Sequence, residues 1–372
     1  MPKLRHLPLA LLLCAASAPP LPKLVSVTAM GTVTQNPVVQ GRDGTYSVEI
    51  NGLSYWAFND TAMTKANASG ANFIDNTLSW ASSLNAANGI TLNNDQLDSS
   101  DLPTRFVPFT AAEANYQYTH NSAHCTATPC GANLALWPGP IVYDPTLGKV
   151  VVPFIEIWRV PTKSGWTVVG GGLAVGTVNP STGYFALTRP VQNPGGEYTT
   201  LMWGPKDIIF TDQAFLKGDT YYAYGSYSDG LATNDVLARV PAAQILHKAD
   251  WQYYAGNGTW SSNVADAVTV FQGGAAGSSV YYNTYLGEWM TIYSGNFSDN
   301  LYYRVAYTLE GPWSNQKLLY AGLTGYQNNP DYAGRVHPEF SPDGGQTEYV
   351  TYVHDTGFLA QNLPLLQVVF GK

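Results

Sequence analysis

Charge is scarce in this sequence. Of 372 residues, 18 are Lys or Arg and 26 are Asp or Glu, leaving a net charge of −8. No basic stretch is dense enough to neutralise a phosphate backbone, so nucleic acid is excluded as the expected partner. The overall negative sign also disfavours a strongly polyanionic substrate. Long apolar runs are missing as well. Leu7–Leu13 is the one candidate, and it is too short to cross a bilayer, so no membrane association is expected. Cysteine is rare: Cys14, Cys125 and Cys130 only. Cys14 follows three leucines, whereas a lipoprotein cysteine follows small residues. The chain contains no nucleophile elbow, P-loop, dinucleotide fingerprint, zinc-protease motif or oxygen-rich loop at EF-hand spacing. No cofactor is therefore implied.

What is present begins with a leader. Lys3, Arg5 and His6 form a positive region, the leucines a short core, and Ala15, Ala16, Ser17 and Ala18 a small-residue end. This pattern predicts a cleaved secretory signal over residues 1–18, hence a soluble, secreted, extracellular protein. In an oxidising compartment, Cys125 and Cys130 are expected to form one local disulfide. With His124 they offer too few ligands for a zinc shell. Sequons at Asn59, Asn67, Asn257 and Asn296 fit secretion. The 25 Tyr and 10 Trp stand among abundant Gly, Asn, Ser and Thr. Flat rings with short polar side chains suit sugars, and the same rings also suit any pleated sheet.

Glycine and proline punctuate the chain every ten to fifteen residues or so, with aromatic and β-branched runs between them. The pattern is all-β. The short helical candidates are 111–116 and 241–246. Strand pairs are read at 41–50 with 53–60, 139–143 with 149–159, 206–210 with 220–227, 279–285 with 288–294, and 335–340 with 347–354. Five such units predict a five-bladed β-propeller in a single domain, residues 19–372. A final strand at 365–370 would close the ring against residues 24–33. Residues 67–130, rich in Asn, Ser, Ala and Thr, read as an irregular insertion. A β-sandwich with long insertions is the alternative architecture.

In a propeller the first strands of all blades converge on one axis, so polar residues far apart in sequence can meet there. Asp43, Asp207, Asn283 and His337 are the first-strand candidates; Asp60, Glu156, Asp212, Glu288 and Glu339 lie on second strands or turns. Glycoside hydrolysis needs two carboxyl groups, one to protonate the leaving oxygen and one to activate water or attack the sugar. Asp43 and Asp207 are the leading pair by placement. Glu156, apolar on both sides, is the candidate for a raised proton affinity. Each has a structural alternative: a turn aspartate for Asp43, a Lys206 partner for Asp207, and an ion pair with Arg159 or Arg304 for Glu156. His337 on the axis would hold a water or a calcium ion, or hydrogen-bond at a strand start. Strand alternation places Trp56, Phe58 and Asp60 on one face, with the Asn59 sequon on the other.

Arg42-Asp43-Gly44 followed by Trp56-x-Phe58-x-Asp60-Thr61 resembles the opening of a family of secreted five-bladed propellers. That family was long catalogued as a domain of unknown function and includes endo-D-arabinanases. Asn76-Thr77-Leu78-Ser79-Trp80, Val236-Leu237-Ala238-Arg239-Val240-Pro241, Gly311-Pro312-Trp313-Ser314 and His337-Pro338-Glu339 extend the match. The resemblance implies an acidic inner-ring site acting on furanose-containing glycans. By placement, Arg42, Asp60, Asn283, His337 and Glu339 are the candidates for substrate binding or support. Asn59 departs from the usual glycine at its position. The expected activity is thus that of a monomeric glycoside hydrolase on a polysaccharide or oligosaccharide. A polysaccharide lyase using His337 or a tyrosine with Arg42 or Arg335, and a non-catalytic lectin, are the competing readings.

Overall fold

The structure, a computed structural model, describes residues 17–372, so all but the end of the expected leader lies outside the described residues. The fold is all-β. Five antiparallel sheets of four or more strands follow one another along the chain, with a small three-stranded sheet beside the first. Among the described residues no helix is long and apolar enough to cross a membrane.

The first sheet is built on Tyr46–Ile50, Leu53–Phe58 and Thr77–Ala81. The second holds Lys149–Arg159 and Thr167–Val178 at its centre, the third Thr220–Asp229 and Ala232–Pro241. The fourth runs from Ala275–Asn283 to Lys317–Ala321. The fifth joins Tyr332–Val336, Thr347–Gly357 and Pro364–Gly371 to the N-terminal strand Lys23–Thr32. As expected from the sequence, the last strand pairs with the first, Leu24 opposite Phe370 and Val27 opposite Val368.

Strand alternation gives each sheet two apolar faces, and each face packs on a different neighbour. Tyr55, Leu78, Val152 and Phe154 join the first sheet to the second. Leu173, Ala214, Ala223 and Val236 join the second to the third. Tyr224, Leu237, Val280 and Trp289 join the third to the fourth, and Tyr281, Ile292, Val350 and Val368 the fourth to the fifth. A last layer of Trp56, Phe58, Tyr349 and Leu365 joins the fifth sheet back to the first.

Several expected elements shift for local reasons. The stretch 41–50 is two strands, Val39–Arg42 and Tyr46–Ile50, separated by Gly44 and Thr45 at φ 98° and 59°. The small sheet takes the first piece, which leaves Asp43 at the break. Residues 206–210 are not a strand. The Asp207 amide bonds back to the Gly204 carbonyl, and Gln213–Lys217 takes the edge position instead. Strand 335–340 stops at Val336, because Pro338 has no amide to donate and opens a 3-10 turn. The segment read as an insertion carries Thr77–Ala81, fully buried and central to the first sheet, and the helix Ala111–His120. Cys125 and Cys130 are disulfide-bonded there. Gly170 and Gly171 lie mid-strand, where a side chain would strike the Trp203 carbonyl at 2.4 Å or Ile209 at 2.3 Å.

Phe370 is fully buried on the closing strand, against Tyr303 at 5.4 Å between ring centroids. Phe370→Ala is expected to cost about 3 kcal/mol. Val25→Ala on the neighbouring strand, at an exposed position, should stay within about 0.5 kcal/mol. Urea denaturation midpoints of the two variants check this.

Candidate functional site

All five sheets contribute to one cavity of about 600 Å³. The first gives Tyr46 and, from its flanking bends, Asp43 and Asn59; the second gives Trp137 and Ile155. Asp212 and Ser226 come from the third, the 274–277 segment from the fourth, and Tyr332 and Arg335 from the fifth. A cavity of about 780 Å³ adjoins it, sharing Asp43, Trp137, Trp166 and Tyr332 and adding Asp60, Asp75, Arg105 and Arg159. Together they form a cleft with carboxyl groups below and tryptophans along the wall.

Asp43 and Asp60 are tied by their backbones. The Asn59 amide donates to the Asp43 carbonyl at 2.8 Å, and the Asp43 amide points at the Asp60 carbonyl at 3.4 Å. Asp43 Oδ2 accepts from the Tyr332 hydroxyl at 3.0 Å, while Oδ1 is buried with no partner. Burial, reinforced by the charge of Asp60, raises the Asp43 carboxyl well above the usual range, against the pull of Tyr332. Asp60 is raised less. Burial pushes it up, and Arg159, with which it forms an ion pair, pulls it back toward the charged form. The two acids therefore face one cleft with unequal proton affinities.

A second acidic pair lies across the cavity. Asp212 is raised by burial and held back by Ser226 and Arg335. Asp235, fully buried behind it, is raised further by burial and by the Asp212 charge. Arg335 lies under the floor, stacked on Tyr46 at 4.2 Å and donating to the carbonyls of Ala276 and Gly277. Those two residues adopt φ of 62° and 84°. A Cβ at Gly277 would stand 3.2 Å from both Arg335 and Asp212, so glycine permits this close approach. Asp75 is spoken for: it accepts from Arg105 Nε at 2.7 Å and from the Leu136 amide at 2.7 Å.

The other residues expected at the site lie elsewhere. Asp207 sits in a turn and accepts from Lys248 at 2.7 Å. Partial burial works the other way, but that bond and the Gly204 amide hold its carboxyl below the usual range. Glu156 has the raised proton affinity expected of it, through burial and the neighbouring Glu113, yet it faces a different cavity. Its strand neighbour Ile155 faces the cleft, and Arg189 rather than Arg159 or Arg304 is its partner, at 3.2 Å. Arg42 turns into the core, donating to Gln35 at 2.6 Å and Ser79 at 2.8 Å. Asn283 holds a hairpin through the Gly345 carbonyl at 2.8 Å, with Glu288 opposite it.

His337 is fully buried, stacked on Trp56 at 4.0 Å, with Ser47 and Thr351 hydroxyls 2.6 and 2.7 Å from its ring nitrogens. Burial, then the Arg335 charge, lowers it to about 3. Both ring nitrogens are taken up by hydroxyls and the residue lines neither part of the cleft, so the ring is not presented to substrate there. Glu339 accepts from Ser54 at 2.6 Å and is also outside the cleft. Among the described residues no group of three or more His, Cys, Asp or Glu is arranged to hold a metal ion. The strand carrying Asp60 ends at Phe58, so alternation stops there. Asn59 consequently lines the axial cavity, packed on Gly44, and its sequon points into the cleft rather than away.

Sequence reasoning missed Asp235, Tyr332, Trp137 and Trp166. Asp235 carried a usable signal, an acid in the apolar run Val236-Leu237-Ala238 of a central strand. Tyr332 carried none, because its partner Asp43 is 289 positions away.

The resemblance read from the sequence stands on its second half. Residues 180–356 match the family model described as Domain of unknown function (DUF4185). No curated protein matches the sequence. Among solved structures, a protein from Bacteroides ovatus described provisionally as a hydrolase is 14% identical, with 92% of this chain and 87% of that one covered and a TM-score of 0.58. A GH43_1 enzyme from Xanthomonas citri is 12% identical over 92% and 89% of the two chains, with a TM-score of 0.49. An exo-β-1,3-galactanase from Phanerochaete chrysosporium is 11% identical over 91% and 63%, with a TM-score of 0.49. The first of these likenesses establishes the shared fold.

Two outcomes follow from the electrostatics. Tyr332→Phe removes a hydrogen bond that favours ionised Asp43, so the Asp43 carboxyl should titrate at higher pH, read by carboxyl-carbon NMR. Glu348, buried away from the cleft, is raised by burial to about 8 despite a bond from Tyr281, against an ordinary value of 4.5. The folded chain keeps that proton through a range where the unfolded chain has lost it, so stability falls as pH rises toward 8. Asp43, Asp60, Asp212, Asp235 and Glu156 act in the same sense. His337 acts oppositely, costing stability only as pH falls below 6.5. Melting temperature should therefore drop from pH 6.5 to 8.5, and Glu348→Gln should flatten that slope.

Proposed function

We propose that this chain is a secreted, extracellular glycoside hydrolase, a single-domain propeller whose five sheets are its blades. It cleaves a neutral polysaccharide of furanose type, such as an arabinan, in the axial cleft. The observation that carries the reading is the Asp43–Asp60 pair: two carboxyls on adjacent backbone-bonded segments, facing one cleft, each with a buried oxygen that has no partner. Their surroundings divide the labour. Asp43, raised the more strongly and served only by a neutral hydroxyl, holds a proton at working pH and delivers it to the leaving oxygen. Asp60, biased toward its charge by Arg159, acts as the second carboxylate on water or on the sugar carbon.

Trp137 and Trp166, edge to face at 5.0 Å, offer ring surfaces to the sugar. Asp212 supplies an acceptor from the opposite wall, with the field of the buried Asp235 behind it. The furanose class rests on the resemblance carried by Arg42-Asp43-Gly44 and His337-Pro338-Glu339. Within that reading, His337 and Glu339 are supports of the wall rather than of the chemistry.

A panel of plant, fungal and bacterial polysaccharides, with released reducing ends as the readout, tests this. Asp43→Asn and Asp60→Asn should each lower kcat by about 10³-fold with an unchanged circular dichroism spectrum, and Asp207→Asn should stay within about twofold. Full activity in Asp43→Asn would overturn the assignment.

A further inference from the structure

A cavity of about 840 Å³ lies on the outer side of the second sheet, under the helix Ala111–His120. Three features make it more than a surface dent. Its floor holds a buried ion-pair cluster. Arg189, with only 2% of its side chain exposed, binds Glu113 and Glu156 together and donates to the Thr200 hydroxyl at 2.9 Å. Burial and Glu113 favour the protonated form of Glu156, and Glu197 lines the cavity as a further acid.

Its walls are aromatic. Tyr116 and Trp158 are fixed by a 2.7 Å hydrogen bond between the indole N–H and the phenol oxygen, and Tyr198 stands exposed at the rim. It also borders the cleft. Leu134 lines both this cavity and the outer part of the cleft, and Val168 lines both this cavity and the axial part. The helix that carries Glu113 and Tyr116 here presents Gln117 to the cleft.

Strand alternation explains why Glu156 faces this side: Ile155 lines the cleft, while Glu156 and Trp158 line this cavity. The pairing with Thr167–Val178 slips beside them, and the extra residue, Val169, also lines the cavity. The one cation of the floor, Arg189, is taken up by Glu113 and Glu156, and no lysine or other arginine lines the cavity, which argues against an anionic ligand. Flat rings with carboxyl and threonine oxygens suit a neutral sugar chain.

We infer that this cavity is a distal subsite that holds the chain of the same glycan beyond the point of cleavage, with Tyr116, Trp158 and Tyr198 as stacking surfaces and Glu113 and Glu156 as hydroxyl partners. The inference rests on the proposed glycosidase reading. It predicts that long chains gain affinity which short ones do not.

Linear arabinan and arabinotriose are the probes. Tyr198→Ala, at an exposed position, and Glu156→Gln, which keeps the shape, should each lower the ratio of kcat/KM for arabinan over arabinotriose about tenfold. In the Asp43→Asn background, the same substitutions should weaken retardation in gels containing arabinan. Equal losses on both probes, or no loss on either, would overturn the subsite while leaving the cleft assignment intact. Absence of cleavage of every polysaccharide, with retardation still sensitive to Tyr198→Ala, would instead overturn the hydrolase reading and keep the glycan site. Absence of both would overturn both.

Discussion

The seam between the last sheet and the first is the constraint on which the rest of the structure depends. The strand Lys23–Thr32 completes the fifth sheet beside Pro364–Gly371, and the layer of Trp56, Phe58, Tyr349 and Leu365 packs that sheet on the first. Cross-seam contacts are polar as well as apolar. His337 reaches Ser47, Glu339 reaches Ser54, and Gly41 packs so closely on residues 359–361 that a side chain would meet the Leu359 carbonyl at 2.6 Å. The same seam carries the Tyr332–Asp43 hydrogen bond. The packing of the last sheet on the first and the tuning of the candidate acid therefore share one seam. His337 and Glu339, chosen from the sequence as axial residues, are part of that seam, and their polar atoms serve closure.

Around the axis the governing balance is between desolvation and partners. Five acids or acid pairs in a water-poor environment would be prohibitive if all were charged. The structure resolves this unevenly. Asp75 is saturated with donors, Asp60 has one arginine, Asp43 has a neutral hydroxyl, and Asp235 has no hydrogen-bond partner on either oxygen. A gradient of partners makes a gradient of proton affinities, which is the condition for assigning acid and base roles to neighbouring carboxyls. Arg335 and Arg159 set it from below and from the side.

Legibility in the sequence followed the range of the interactions involved. Strands such as Lys149–Arg159 and Thr347–Gly357 were readable because alternation and β-branched content are local. The closing pair of terminal strands was readable because apolar runs at both ends had no other partner. Asp43 was readable because Gly44 and the aromatic strand beyond it mark a bend. Asp207 misled for the same reason: a strand-like run beside it looked like an inner strand, and only the Gly204 turn shows otherwise. Glu156 was right in chemistry and wrong in place, since alternation turns it to the opposite face from Ile155, and only the packed sheets show which face meets the cleft.

By itself, the sequence determined the all-β class, the repeated sheet units, the local disulfide and the presence of acids at strand edges, because these rest on periodicity, turn residues and short spacings. Only the tertiary structure decided which acids share a cleft. Asp43 meets Tyr332 from the opposite end of the chain, Asp60 finds Arg159 from the second sheet, and Asp212 sits beside Arg335 from the fifth. The proton affinity of a buried carboxyl depends on water excluded and charges brought near by residues hundreds of positions away, and no local pattern encodes those distances.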